Sequence, residues 1–212
     1  MYGLYVSGSV QDRAAVIEML HASASAIAAC EALADDITGV AHVIADAFDA
    51  GHKLLAFGNG GSAADAQHFA GELIGRFLAS RSDRAPRPAI ALSADSAVLT
   101  CIANDYGYED IFARQVRGLA VSGDIVFGIS TSGSSPNVLR AFEAAAPGVI
   151  RIALCGPGGP LAGVADRAIR VPYEGTAPIQ AAHIAIIHAI CALLEERFAR
   201  AEHAAADAVM ST

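Results

Sequence analysis

The sequence predicts an α/β fold, a parallel sheet covered by helices on both faces. Two observations carry this. Five short apolar runs recur along the chain, continuous rather than alternating, as strands buried on both faces should be. Between them lie stretches with apolar residues at helical spacing, and strand–helix alternation at this interval builds parallel sheets. From Asp12 to about Asp49 the chain is alanine-rich and reads as two helices, broken near Asp35-Asp36 or Thr38-Gly39. The strands are expected at Leu54–Phe57, Ala89–Leu92, Ile125–Ile129, Ile150–Leu154 and Ala168–Val171. Helices are expected to start near Ser62, Ser96, Pro136 and Leu161, and a long helix from Pro178 to about Ala206 closes the chain. Its stripe runs through Ile179, His183, Ile186, Ile187, Ile190, Leu193, Leu194 and Phe198. No linker divides this pattern, so one domain is expected.

Composition narrows the function. Apolar residues make up 54% of the 212 residues and charged ones 17%, which excludes extensive disorder. No uninterrupted apolar run approaches the ~20 residues of a membrane span. Met1 to Gln11 lacks the basic and apolar regions of a signal peptide, so a cytoplasmic protein without a membrane partner is expected. A net charge of −8 argues against nucleic-acid binding. The cysteines Cys30, Cys101, Cys155 and Cys191 are widely spaced in apolar contexts and read as buried free thiols.

Two turns point to a phosphorylated small molecule. Gly58-Asn59-Gly60-Gly61-Ser62 follows the first strand and opens a helix, which exposes backbone N–H groups at the positive helix end. Ser130-Thr131-Ser132-Gly133-Ser134-Ser135 does the same after the third strand. Ser62 with Asp65 has capping-box spacing, and Ser135 before Pro136 reads as an N-cap. Both turns fall at carboxyl ends of strands, where open α/β sheets bind ligands. Lys53 is the only lysine, so a phosphate here must be held by amides, hydroxyls or an arginine.

His68 and Glu72 stand four apart and share a face of the helix that opens at the first turn. A carboxylate in an apolar helix is suited to proton transfer, because burial raises its pKa. Arg76 is placed to pair with Glu72 or to meet a phosphate. On the closing helix Gln180, His183 and His188 interrupt the stripe, as core residues or as ligands. Two histidines and a glutamate also satisfy a minimal zinc rule. Asn104-Asp105-Tyr106-Gly107 forms a further polar cluster or a helix stop.

The run Gly58-Asn59-Gly60-Gly61-Ser62-Ala63-Ala64-Asp65-Ala66-Gln67-His68-Phe69-Ala70-Gly71-Glu72-Leu73 resembles the signature of the phosphoheptose isomerases, in the sugar isomerase (SIS) domain group. Ala103-Asn104-Asp105-Tyr106-Gly107, then Ile129 to Val138, then Gln180, His183 and His188 continue the match, which spans about Ala41 to Arg197. The resemblance implies an SIS sandwich over residues 11–206, a tail at 207–212, and a disordered or non-native start at residues 1–10. It implies a homotetramer that interconverts sedoheptulose 7-phosphate and D-glycero-D-manno-heptose 7-phosphate, a step toward ADP-heptose. Carried over by position, Asn59, Gly60, Gly61, Ser62, Glu72, Asn104, Asp105, Ser130, Thr131, Ser132, Ser135 and Gln180 bind substrate. Glu72 and His188 form the catalytic pair, and His68, Glu72, Gln180 and His188 match zinc ligands. Relatives that bind the replication initiator without catalysis, or act on another sugar phosphate, share the turn; the former lack the Glu and His pair.

Gln180 and His188 lie eight residues apart, about 12 Å along one helix. For both to ligate one ion, their side chains must fold inward or one must come from another subunit, and a site shared between chains is expected. Pro178, Ala181 and Glu174-Gly175-Thr176-Ala177 depart from the family pattern, which bears on substrate choice more than on chemistry.

Overall fold

The computed structural model describes residues 10–78 and 84–210, with side chains through residue 200. The expected non-native start therefore lies, but for Val10, outside the described residues. Helices α1 (Val10–Ala29) and α2 (Ala34–Asp49) lead into β1 (Leu54–Gly58) and α3 (Gly61–Ile74). Strand β2 (Ala89–Ala91), α4 (Ser96–Tyr106) and α5 (Ala113–Leu119) follow, then β3 (Ile125–Ser130) and α6 (Pro136–Glu143). Strands β4 (Ile150–Cys155) and β5 (Arg167–Arg170) complete the sheet, and α7 (Thr176–Met210) closes the chain. The five strands are parallel in the order β2-β1-β3-β4-β5.

Strand alternation divides the core into two layers. Leu54, Ala56, Ile125, Phe127, Ile129, Ile152 and Leu154 face α2, α3 and α7. Leu55, Phe57, Val126, Ala153 and Cys155 face the other way, toward the layer of α4, α5 and α6. Successive residues of one strand thus feed opposite layers, which is why the strands read as unbroken apolar runs. At the amino edge of the sheet Asp124, 1% exposed, accepts from the Lys53 ammonium at 2.5 Å and from the backbone N–H groups of Lys53 and Val121 at 3.0 and 2.7 Å. Burial pushes this carboxyl up, but the Lys53 bonds outweigh it and hold the pKa below the usual carboxylate value. The lone lysine thus neutralises a buried carboxylate.

Several expectations need correction. The first helix break falls at the 3-10 turn Cys30–Leu33, ahead of Asp35-Asp36. Those two acids instead occupy the first turn of α2, where the helix dipole favours them. Gly39 is simply absorbed within α2. Leu161–Val164 is only a 3-10 turn. Helix α5, seven residues long, was not anticipated, since its apolar signal reduces to Ala113 and Val116. Helix α7 runs four residues beyond Ala206, so the expected tail is helical as far as Met210. Cys30, Cys155 and Cys191 are buried free thiols, whereas Cys101 is exposed. The Thr176–Arg200 stretch is long and apolar enough to cross a membrane, as is Val10–Asp49, but the former is a core helix that encloses His183 and Glu195.

Candidate active site

Strand order creates the site. The chain starts the sheet at β1, adds β2 on one side and returns to add β3 on the other, so β1 and β3 flank the point where direction reverses. Their register pairs Gly58 with Ile129, which sets the two glycine- and serine-rich turns side by side at the carboxyl edge. Gly60 caps α3 at φ +56°, a left-handed conformation that releases the chain sharply into the helix. The expected Ser62 capping box does not form: Ser62 lies inside the helix, 6% exposed, and no side chain caps the start. Its N–H bonds the Asn59 carbonyl at 3.0 Å instead.

Asn59 is held firmly. Its amide exchanges two hydrogen bonds with the Asn137 amide, each 2.8 Å, and its Oδ1 accepts from the Tyr108 hydroxyl at 3.0 Å. Beside it lies a cavity of about 240 Å3 walled by Gly60, Ser93, Leu99, Thr100 and Tyr108 among others. Across the switch, Ser130 Oγ stands 3.0 Å from Ser135 Oγ and 3.4 Å from Ser132 Oγ, and Ser134 donates to Ser132 Oγ through both its N–H and its hydroxyl. Ser135 sits at the N-cap of α6 as expected, with Pro136 following, but its hydroxyl turns into this serine cluster rather than onto the helix. Hydroxyls bonded chiefly to one another can exchange those bonds for phosphate oxygens.

Helices α3 and α7 run side by side in the same sense, and their facing residues build the second half of the site. His68 Nε2 lies 2.8 Å from His188 Nε2 and 3.4 Å from Glu72 Oε1. Among the described residues, ligand atoms of His68, Glu72 and His188 come within 4.8 Å of one another. Two imidazoles and a carboxylate gathered this closely form a group able to hold a metal ion. These three come together within one chain. The parallel run of the two helices supplies the reason: each step along α7 meets a step along α3.

Gln180, one end of that run, rests against the start of α3. A Cβ on Gly61 would stand 1.7 Å from Gln180 Nε2, so glycine leaves the space that the amide fills. Asp65, 5% exposed, lies within reach of the same amide. Burial pushes the Asp65 carboxyl up to about 6, against the lowering effects of the Gln180 amide and of His68. A carboxylate can only accept, so Nε2 is the atom of Gln180 that donates to it. His183 is fully enclosed, neither ring nitrogen has a well-formed bond, and burial pushes its pKa down to about 4. It is therefore a neutral core residue.

Asn104 and Asp105 sit exposed on the last turn of α4, bonded to each other at 2.8 Å, next to Ala103, which lines the cavity beside Asn59. Arg76 forms no ion pair with Glu72. Thr131 is half-buried and Ser132 exposed at the open edge. Sequence reasoning missed Asn137 and Tyr108 as supports of Asn59, and Asp65 as the neighbour of Gln180. A buried acid one turn before His68 was the available signal for the last.

Residues 18–156 match the model of the SIS domain. Over 194 residues the chain is 45% identical to a phosphoheptose isomerase of Trichlorobacter lovleyi, covering 91% of this chain and 93% of that one. It is 49% identical over 166 residues to a probable phosphoheptose isomerase of Thermoplasma acidophilum, covering 77% and 90%. Among solved structures it resembles the phosphoheptose isomerase of Francisella tularensis, with a TM-score of 0.81 and 36% identity over 89% of this chain and 100% of that one. The likeness to the phosphoheptose isomerase of Neisseria gonorrhoeae has a TM-score of 0.78 at 39% identity and the same coverage.

Proposed function

This chain belongs to the phosphoheptose isomerases of the SIS domain family, and on that premise we propose that it interconverts sedoheptulose 7-phosphate and D-glycero-D-manno-heptose 7-phosphate for heptose biosynthesis. The convergence of His188 with His68 and Glu72, on the helix that the first glycine-rich turn opens, is the observation that carries the reading. The serine turn Ser130–Ser135 and the start of α6 hold the phosphate. Asn59, with the exposed N–H groups of Gly60 and Gly61, meets the sugar chain. Pinning the remote phosphate places C1 and C2 over α3, so binding energy is spent on orientation.

Glu72 is the base. One of its oxygens faces His68, and the other is available to take the proton from C1 of the ketose and return it to C2. His188 gives a proton to O2 and accepts the one leaving O1, so the isomer forms with no change of composition. Zinc fits the donor set, with His68, Glu72 and His188 as holders and the side-chain oxygen of Gln180 as the fourth candidate. When bound, the ion would withdraw charge from a substrate oxygen.

The homotetramer is proposed as well. Val16, Met19, Leu20 and Ile27 are exposed along α1, an apolar surface that another copy would cover. Asn104 and Asp105, exposed at the end of α4, are proposed to meet substrate as the resemblance implies. A cytoplasmic location accords with a phosphorylated substrate. The test is turnover of sedoheptulose 7-phosphate with and without a chelator, beside the variant Glu72→Gln. Wild-type turnover and a loss of about 10²–10⁴-fold in the variant are expected. Absence of turnover in the wild type, or full activity in the variant, overturns the proposal.

A further inference from the structure

Two buried charges take no part in the reaction just described. Arg84, ahead of β2, and Glu195, on α7, are ion-paired at 2.9 Å, each side chain only 4% exposed. Arg84 also donates to the backbone carbonyls of Glu72 and Leu73, at 2.8 and 2.9 Å. Those carbonyls belong to the last turn of α3, where the helix offers them no partner of its own. Glu195 meanwhile accepts from the Phe77 N–H at 3.1 Å, and the Phe77 ring packs on the His188 ring with centroids 5.5 Å apart. Glu195 lies two helical turns past His188, on the same face of α7.

A buried ion pair is a poor way to gain stability, since desolvation of both charges offsets their attraction and an apolar pair of similar volume serves as well or better. What the pair does supply is geometry. Its cation grips the backbone of Glu72, and its anion, through Phe77, braces His188. We propose that Arg84 and Glu195 are positioning residues for the isomerisation, a clamp that fixes the spacing of Glu72 and His188 by tying the end of α3 to α7. This rests on Glu72 and His188 being the catalytic pair.

The test uses the full chain with the double substitution Arg84→Met and Glu195→Leu, and separately Glu195→Gln, which keeps an acceptor for Phe77 but loosens the hold on Arg84. The double variant should stay folded but melt several degrees lower, because an apolar pair replaces the charges while the Glu72 carbonyl and the Phe77 N–H lose their partners. Its kcat should fall about 10–100-fold while KM stays within about threefold, since a misplacement near 1 Å is enough for such a loss. Glu195→Gln should lose about tenfold in kcat with KM likewise held. Wild-type kcat in either folded variant, or a change confined to KM, overturns the clamp while leaving the isomerase reading intact. A wild-type protein without turnover instead removes the parent reading, and the clamp with it.

Discussion

Gly61→Ala separates the site from the fold. The added Cβ would stand 1.7 Å from Gln180 Nε2, 2.6 Å from its Cδ and 2.7 Å from its Oε1. Ordinary contact begins near 3.4 Å, so the amide must retreat by about 1.7 Å. The retreat is cheap for the fold, because the clashing atoms end a flexible side chain and Gly61 is not in the left-handed region. Alanine also favours a helix over glycine by up to about 1 kcal/mol. Stability should therefore hold or rise. Activity should not, because a displacement of this size at a substrate- or metal-binding group costs about 100-fold. Thermal melts and steady-state kinetics with sedoheptulose 7-phosphate, run on the same preparations, give both readouts. Wild-type kcat/KM in Gly61→Ala would refute a role for Gln180 in the site; a large fall in Tm would refute the claim that the glycine serves function alone.

Burial holds His183 neutral, with its pKa pushed down from 6.5 to about 4. The unfolded chain binds a proton there that the folded chain refuses, so this contribution is complete above pH 6.5 and is lost as pH falls toward 4, by about 3 kcal/mol. Urea unfolding of His183→Leu should show that much less acid destabilisation across this window, and an unchanged slope would contradict it. Lys53→Met leaves Asp124 buried without its main cation. Because Lys53 itself is partly exposed, the loss should be about 2 kcal/mol, read as a lower Tm; no shift would refute the pairing argument. Tyr108→Phe removes one of two bonds to Asn59 Oδ1, worth about 1 kcal/mol, so KM should rise about fivefold with kcat retained. A fall in kcat with KM unchanged would show that Tyr108 acts on the reacting carbons instead.

The central strands β1 and β3 were legible because each is a short apolar run buried along its whole length, and burial on two faces leaves a continuous signal. The turns were legible because glycine and serine at a strand-to-helix junction have few other uses. Helix boundaries were less so. Asp35-Asp36 looked like a break but opens α2, since the same acids suit a helix start and a loop. Ser62 looked like a cap but is swallowed by the helix, because Gly60 at positive φ already turns the chain. Arg84 and Glu195 carried no readable signal, being single charges far apart in sequence whose meaning depends on meeting.

By itself the sequence determined the fold class, the two glycine- and serine-rich turns and the shared face of His68 and Glu72. Each follows from neighbours within a few residues, through strand alternation, glycine conformation or helical periodicity. Only the tertiary structure decided that β1 and β3 lie adjacent, that His188 meets His68 within one chain, and that Gln180 settles against Gly61. Those contacts come from strand order and from the packing of α7 along α3, and local preferences of the backbone do not encode which distant elements become neighbours.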